Sequence, residues 1–295
     1  MRQVVKLALL WLALSPVPCV AEYRYVKIHV PASIDTRANG VNARGDVVGF
    51  YTDVEGALHG FLRRKGDYST IDFPGASLTV AFSLNARGDI VGRFVDAEGN
   101  GHAFLFSDGE FTQIDYPEGA STEARGINNA GDIVGRYFTR GGLELGFMLK
   151  NGRFQSIRVP GSRATQVSMA QDNGRVIVGY FSSPDGALHG FVRNRSGDFQ
   201  AIDFPSGGSF PCTGARSVNE RGDVVGPYTV ANNAGECRNS AQGYLRRRGK
   251  FVAVDFPGAV ATFPGGINND GVIVGLYRDR AGVSHGFKAI PEDGE

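Results

Sequence analysis

Hydrophobic and polar positions along this chain change over in short bursts. Runs rich in Val, Ile, Phe and Tyr, such as DIVGRF (89–94), HAFLF (102–106) and FTQID (111–115), are separated by clusters of Gly, Asn, Asp and Pro. Such runs predict strands joined by tight turns. No stretch of useful length carries the 3.6-residue period of a helix. The bursts also recur as a set. GVNARGDVVGFY (40–51) is followed by SLNARGDIVGRF (83–94), GINNAGDIVGRY (126–137), SMAQDNGRVIVGYF (168–181), SVNERGDVVGPY (217–228) and GINNDGVIVGLY (266–277). The glycine after the valine falls at Gly49, Gly92, Gly135, Gly179, Gly226 and Gly275, a spacing of 43 to 49 residues. Each copy is followed by a phrase of the HGF type and, in five units, by one of the IDFP type.

Each unit therefore reads as four short strands, the size of a propeller blade. The approximate blades are 36–75, 79–118, 122–161, 165–205, 213–258 and 262–290. The last lacks its fourth strand, and YRYVKIHVP at 23–31 supplies a match at the other end of the chain. An open solenoid has no reason to split one unit across both ends, whereas a ring closed by its N-terminal strand hides the sheet edge. The fold expected is all-β, a six-bladed β-propeller whose last blade is closed by the N-terminal strand.

Residues 1–21 carry Arg2 and Lys6, the apolar run LALLWLAL, Pro16 and Pro18, and small residues before Glu22. This is the pattern of a secretory signal peptide. Its apolar run falls short of the roughly 20 residues that span a bilayer. One mature domain, 22–295, secreted or periplasmic in a bacterium, is expected, with no integral membrane segment. Of three cysteines, Cys19 leaves with the signal, so Cys212 and Cys237 are candidates for a disulfide in an oxidising compartment.

At His102-Ala103-Phe104 and in the INNxGDIVG phrases the chain resembles the bacterial extracellular repeat proteins named for their HAF motif. The resemblance spans essentially the whole mature chain. It implies export and a β-propeller, and no agreed activity. Leu145 and Gln242 replace the histidine in two units.

Composition then narrows the function. The 42 glycines serve turns, and 31 Lys+Arg balance 30 Asp+Glu, so no basic field is present to hold nucleic acid. Nucleophile-elbow, zinc-protease and nucleotide-loop signatures are missing, so no cofactor, metal or catalytic residue is assigned. Three sets of residues are candidates for binding. His59, His102, His189 and His285 open the third strands beside aromatics such as Tyr51 and Tyr277, and either fix blade geometry or form a binding rim. Thr36, Thr79, Thr122, Thr165, Thr213 and Thr262 precede the small residues Gly40, Ser83, Gly126, Ser168, Ser217 and Gly266. Their hydroxyls either satisfy loop backbone or frame a polar pocket at the channel mouth. Arg125 and Arg216 break the repeat where the other units read as Asn39, Phe82, Val167 and Gly265, with Glu123 beside the first. An anionic ligand at the channel mouth, or ion pairs with Glu123 and Glu236, would account for them. The leading expectation is a monomeric exported binding protein presenting a loop-rich face to a protein, peptide or glycan. The alternatives are an extracellular carbohydrate- or ester-active enzyme and a structural surface component.

Overall fold

The computed structural model describes residues 23–172, 174–205, 212–229 and 241–292. The expected signal segment and Cys237 lie outside the described residues. Twenty-four strands form six four-stranded antiparallel sheets. Five are consecutive in sequence. Their innermost strands are β2 (Ser33–Val41), β6 (Leu78–Leu84), β10 (Gly119–Ile127), β14 (Ala164–Ala170) and β18 (Ser217–Val218). The sixth sheet has the order β1-β24-β23-β22, with β1 (Tyr23–Ile28) on the outside of β22 (Ala261–Ile267), β23 (Ile273–Arg278) and β24 (Ser284–Pro291). Tyr25 pairs with Ala289 and Ile28 with Gly286, so the N-terminal strand completes the blade. The chain is a six-bladed β-propeller closed as expected, although pairing ends at Ile28, before the Pro31 reached by the sequence match.

The repeated residues build the ring. Phe61, Phe104, Phe147, Phe191, Tyr244 and Phe287, the aromatics of the third strands, are fully buried between blades. The second-strand glycine exists because of them and of the innermost strand. A Cβ on Gly135 would stand 1.9 Å from the Glu123 carbonyl oxygen and 3.0 Å from Phe147. The asparagine of the first turn does two jobs. Asn42 Oδ1 accepts from the backbone N–H of Arg44 and Asp46, fixing its own turn. Its Nδ2 donates to the Asn85 carbonyl of the next blade. The same inter-blade bond continues from Asn85 to Asn128, then Gln171, Asn219, Asn268 and back to Asn42. Six side-chain amides thus form a closed circuit around one mouth of the channel.

Candidate functional site

The opposite mouth opens into a cavity of about 740 Å³. Much of its lining comes from two recurring places in the blades. One is the innermost strand, which carries a bulge: the register slips between Ala38 and Gly40, Ala81 and Ser83, Ala124 and Gly126, Val167 and Met169, and Pro264 and Gly266. The extra residue at each bulge escapes the ladder and is re-aimed. Those residues are Asn39, Phe82, Arg125, Ser168 and Gly265, and all line the cavity. Arg216, between Ala215 and Ser217, holds the same place in blade five and lines it too. The other place is the residue after the second-strand glycine, which gives Phe50, Arg93, Arg136, Pro227 and Leu276.

This register corrects two sequence assignments. Val178 pairs with Met169, as Val134 pairs with Gly126 and Val91 with Ser83. Met169 therefore occupies the small-residue place, and the counterpart of Arg125 is Ser168 rather than Val167. The irregular turn QDNGRV in unit four is one residue longer than its counterparts, which hid the slip. The Met169 sulfur lies 4.0 Å from the Ser83 hydroxyl and 2.9 Å from where a Cβ on Gly126 would stand, narrowing the channel beneath the cavity.

Glu123 organises one side. Arg136 stands directly across the strand pair from it and donates from Nε and a terminal nitrogen to both carboxylate oxygens at 2.9 Å. Arg125 approaches to 2.5 Å and Arg93 to 3.5 Å. Burial works to raise the Glu123 pKa, but Arg125, Arg136 and Arg93 outweigh it and hold the carboxyl at about 2. Arg136 also bonds Glu144 at 2.9 Å. Burial pulls Arg125 down to about 10 despite Glu123, so it remains charged at neutral pH. Four of the cavity's guanidinium groups lie over rings: Arg125 over Phe82 at 4.0 Å, and Arg37 over Phe50, Arg136 over Phe138 and Arg216 over Tyr180, each at 5.2 Å. Tyr180 in turn donates to Gln166.

Of the residues singled out in the sequence, Glu123, Arg125 and Arg216 come together here. Arg125 pairs with Glu123. Among the described residues Arg216 has no carboxylate partner, and Glu236 lies outside them. Thr122 and Thr213 are not part of the cavity. Their side chains are 1% exposed, and each hydroxyl accepts a backbone N–H, from Tyr116 and Phe204 respectively. Thr36, Thr79, Thr165 and Thr262 do the same for Val30, Phe73, Val159 and Phe256. The polar-pocket reading of the threonines is corrected on that ground: the hydroxyls are spent on holding the incoming loops. The histidines and their aromatics do not line the cavity either. Tyr51 stacks on His59 at 5.2 Å, and Tyr277 lies tilted against His285 at 5.0 Å. His59 Nδ1 meets Asp72 at 2.7 Å and Nε2 meets Asp53 at 3.2 Å. His102 bridges Asp115 and Asp96, His189 bridges Asp203 and Ser183, and His285 holds Asp279. These are clamps within a blade. Cys212 is buried.

Sequence reasoning missed Arg37, Arg93, Arg136 and Gln166. The signal was present: these positions vary from blade to blade just as Arg125 and Arg216 do. Locating them required the strand register.

No protein-family model matches the sequence, and no curated protein matches it. The fold does match solved structures. The fucose-specific lectin from Aleuria aurantia is 13% identical with a TM-score of 0.56, covering 90% of this chain and 95% of that one. AofleA from Arthrobotrys oligospora is 13% identical with a TM-score of 0.55, covering 93% and 91%. The β-propeller domain of the Trilobed protease from Pyrococcus furiosus, described as having an open velcro topology, is 11% identical with a TM-score of 0.52, covering 90% and 83%. At these identities the likeness is one of fold.

Proposed function

We propose that this chain is an exported binding protein, a rigid six-bladed disc that receives a ligand end-on in the cavity at one mouth of its channel. The observation that carries the reading is where the repeat is broken. Positions that build blades repeat, whereas the bulge residue differs across the ring: Asn39, Phe82, Arg125, Ser168, Arg216 and Gly265. A fold that needed only to close would reuse one small residue there. Glu123, the one carboxylate among the described residues lining the cavity, has no proton to give at neutral pH when held at about 2. That is unlike the raised general acid of a two-carboxylate glycoside hydrolase, and it favours binding over hydrolysis. The lectin folds among the similar structures support a glycan as ligand over a protein or peptide.

A glycan and peptide array probed with the mature protein tests the proposal. Binding to one class, lost in an Arg125→Ala/Arg216→Ala variant that circular dichroism shows to be folded, is expected. No binding, or binding indifferent to the variant, would refute the site. Export carries its own test. Edman sequencing that begins at Glu22, and a linked Cys212–Cys237 peptide in a non-reducing digest, are expected of protein recovered outside the cytoplasm. An uncleaved Met1 or two alkylatable thiols would refute it.

A further inference from the structure

We infer that the channel-mouth cavity recognises the carboxylate of an acidic saccharide. This deepens the binding reading and rests on it. The first observation is charge. Six arginines (Arg37, Arg93, Arg125, Arg136, Arg216 and Arg278) and one glutamate line the cavity. Counting Glu144 and Asp35, which pair with Arg136 and Arg37, an excess of three positive charges remains. The whole chain carries a formal net charge of only +1. Positive charge is therefore concentrated at this mouth, where low-dielectric walls focus the field.

The second observation is hydrogen bonding. Buried polar side-chain atoms ordinarily have partners, and each exception calls for an explanation. Arg37 Nε, Arg125 Nε, Gln166 Nε2 and the Ser168 hydroxyl are buried and without partners, and all four residues line this cavity. Three of the four atoms can only donate, which asks for an acceptor-rich ligand.

The third is preorganisation. Rings beneath Arg37, Arg125 and Arg216 fix the planes of their guanidinium groups. A planar fork held this way suits a carboxylate, which accepts two parallel N–H bonds. Glu123 already consumes much of the donor capacity of Arg136 and part of that of Arg125. The incoming carboxylate falls to Arg216 and the free Nε of Arg125.

A saccharide fits better than a peptide. Peptides commonly gain affinity by adding a strand to a sheet edge, whereas this cavity offers side chains. Phe263, Leu58 and Leu276 supply apolar walls against which the C–H face of a sugar ring can lie. A rigid ring also loses little conformational freedom on entering. Met169 narrows the channel below, so the cavity takes a chain end rather than a threaded chain.

The experiment is titration calorimetry on the mature protein with three probes: a hexuronic acid trisaccharide, the same trisaccharide with its carboxyls reduced to primary alcohols, and a glutamate tripeptide. The uronate is expected to bind, and reduction to weaken it by about tenfold or more. Arg216→Gln should weaken the uronate by a similar factor without changing the thermal midpoint. Arg125→Gln should do so as well, with circular dichroism confirming that it folds. Equal affinity for the acid and its reduced form would overturn anion recognition and leave the binding reading standing. Binding of the tripeptide alone would overturn the saccharide assignment and again leave that reading intact. If none of the three binds, the inference is refuted, while the array decides separately whether the cavity binds anything.

Discussion

His59 and His102 show how a single residue holds a blade in shape. Each imidazole links the second-to-third-strand loop, through Asp53 or Asp96, to the end of the fourth strand, through Asp72 or Asp115. Asp53 meanwhile accepts the N–H groups of Glu55 and Ala57 and so caps the loop it lies in. Burial lowers the pKa of both histidines, but hydrogen bonds to the paired aspartates outweigh it and leave both above the ordinary 6.5. A raised value means that the folded state binds the proton more tightly. The stabilisation is complete below about pH 6.5 and is lost as pH rises through the elevated values. Thermal midpoints measured from about pH 5.5 to about pH 8.5 should therefore fall across that window, and a His59→Gln/His102→Gln variant should have a shallower slope. An unchanged slope in the variant would contradict the clamps. Acid acts at the other end. Hydrogen bonds from the Asn100 side chain, foremost, and from its backbone and His102 hold Asp96 at about 2 against desolvation, so its contribution is lost only as pH falls from 3.8 towards that value. The spacing of the histidines was legible in the sequence. Their partners were not, because Asp72 and Asp115 lie thirteen residues further along and meet them only once the third and fourth strands pair.

At the scale of the element, the innermost strand and its neighbour explain why one glycine recurs. The first strand bulges at Ala124–Gly126, and its Glu123 carbonyl presses on the second strand at Gly135. Backbone cannot give way as a flexible side chain can. Gly135→Ala is expected to cost about 1–3 kcal/mol through overpacking and to displace Glu123 and the bulge that aims Arg125. Gly141→Ala, in a turn where the nearest atom to an added Cβ is 3.8 Å away, serves as the control. Urea denaturation with equal losses at the two positions would sink this account. The strands themselves, their number and the turns were legible because period-two patterning and Gly/Asn punctuation are local. The bulges were not. A bulge is one residue opposed by none, and nothing in a single strand marks it. That is why Ser168 falls one position out of register in the sequence pattern, and why Arg37, Arg93, Arg136 and Gln166, equally departures from the repeat, are not legible as neighbours of Arg125 and Arg216 without the strand pairing.

The whole molecule is a ring whose closure is its least repetitive contact. The split sixth unit could be read from the sequence because it leaves two matching half-phrases at the ends of the chain. It also carries a departure from the repeat. The residue after Ile28 is His29, whereas Asp72, Asp115 and Asp203 follow the corresponding isoleucines in blades one, two and four. His285 consequently keeps its bond to Asp279 through Nε2, while its Nδ1 is buried without a partner. Burial, together with Lys27 and His285, pushes the His29 pKa down, so this histidine works against the fold as pH falls, the reverse of His59 and His102. Replacing His29 by aspartate would restore the clamp at the joint between β1 and β24. It would supply an acceptor for His285 Nδ1–H and remove a like-charged neighbour. His29→Asp is expected to stabilise the ring by about 0.5–1 kcal/mol, the modest figure reflecting the exposure of that position. The gain should be larger at pH 6 than at pH 8, because the histidine that is removed opposes folding increasingly as pH falls. Chemical denaturation at both pH values checks it. A variant no more stable than the parent, or one whose gain grows with pH, would show that the closure does not depend on this clamp.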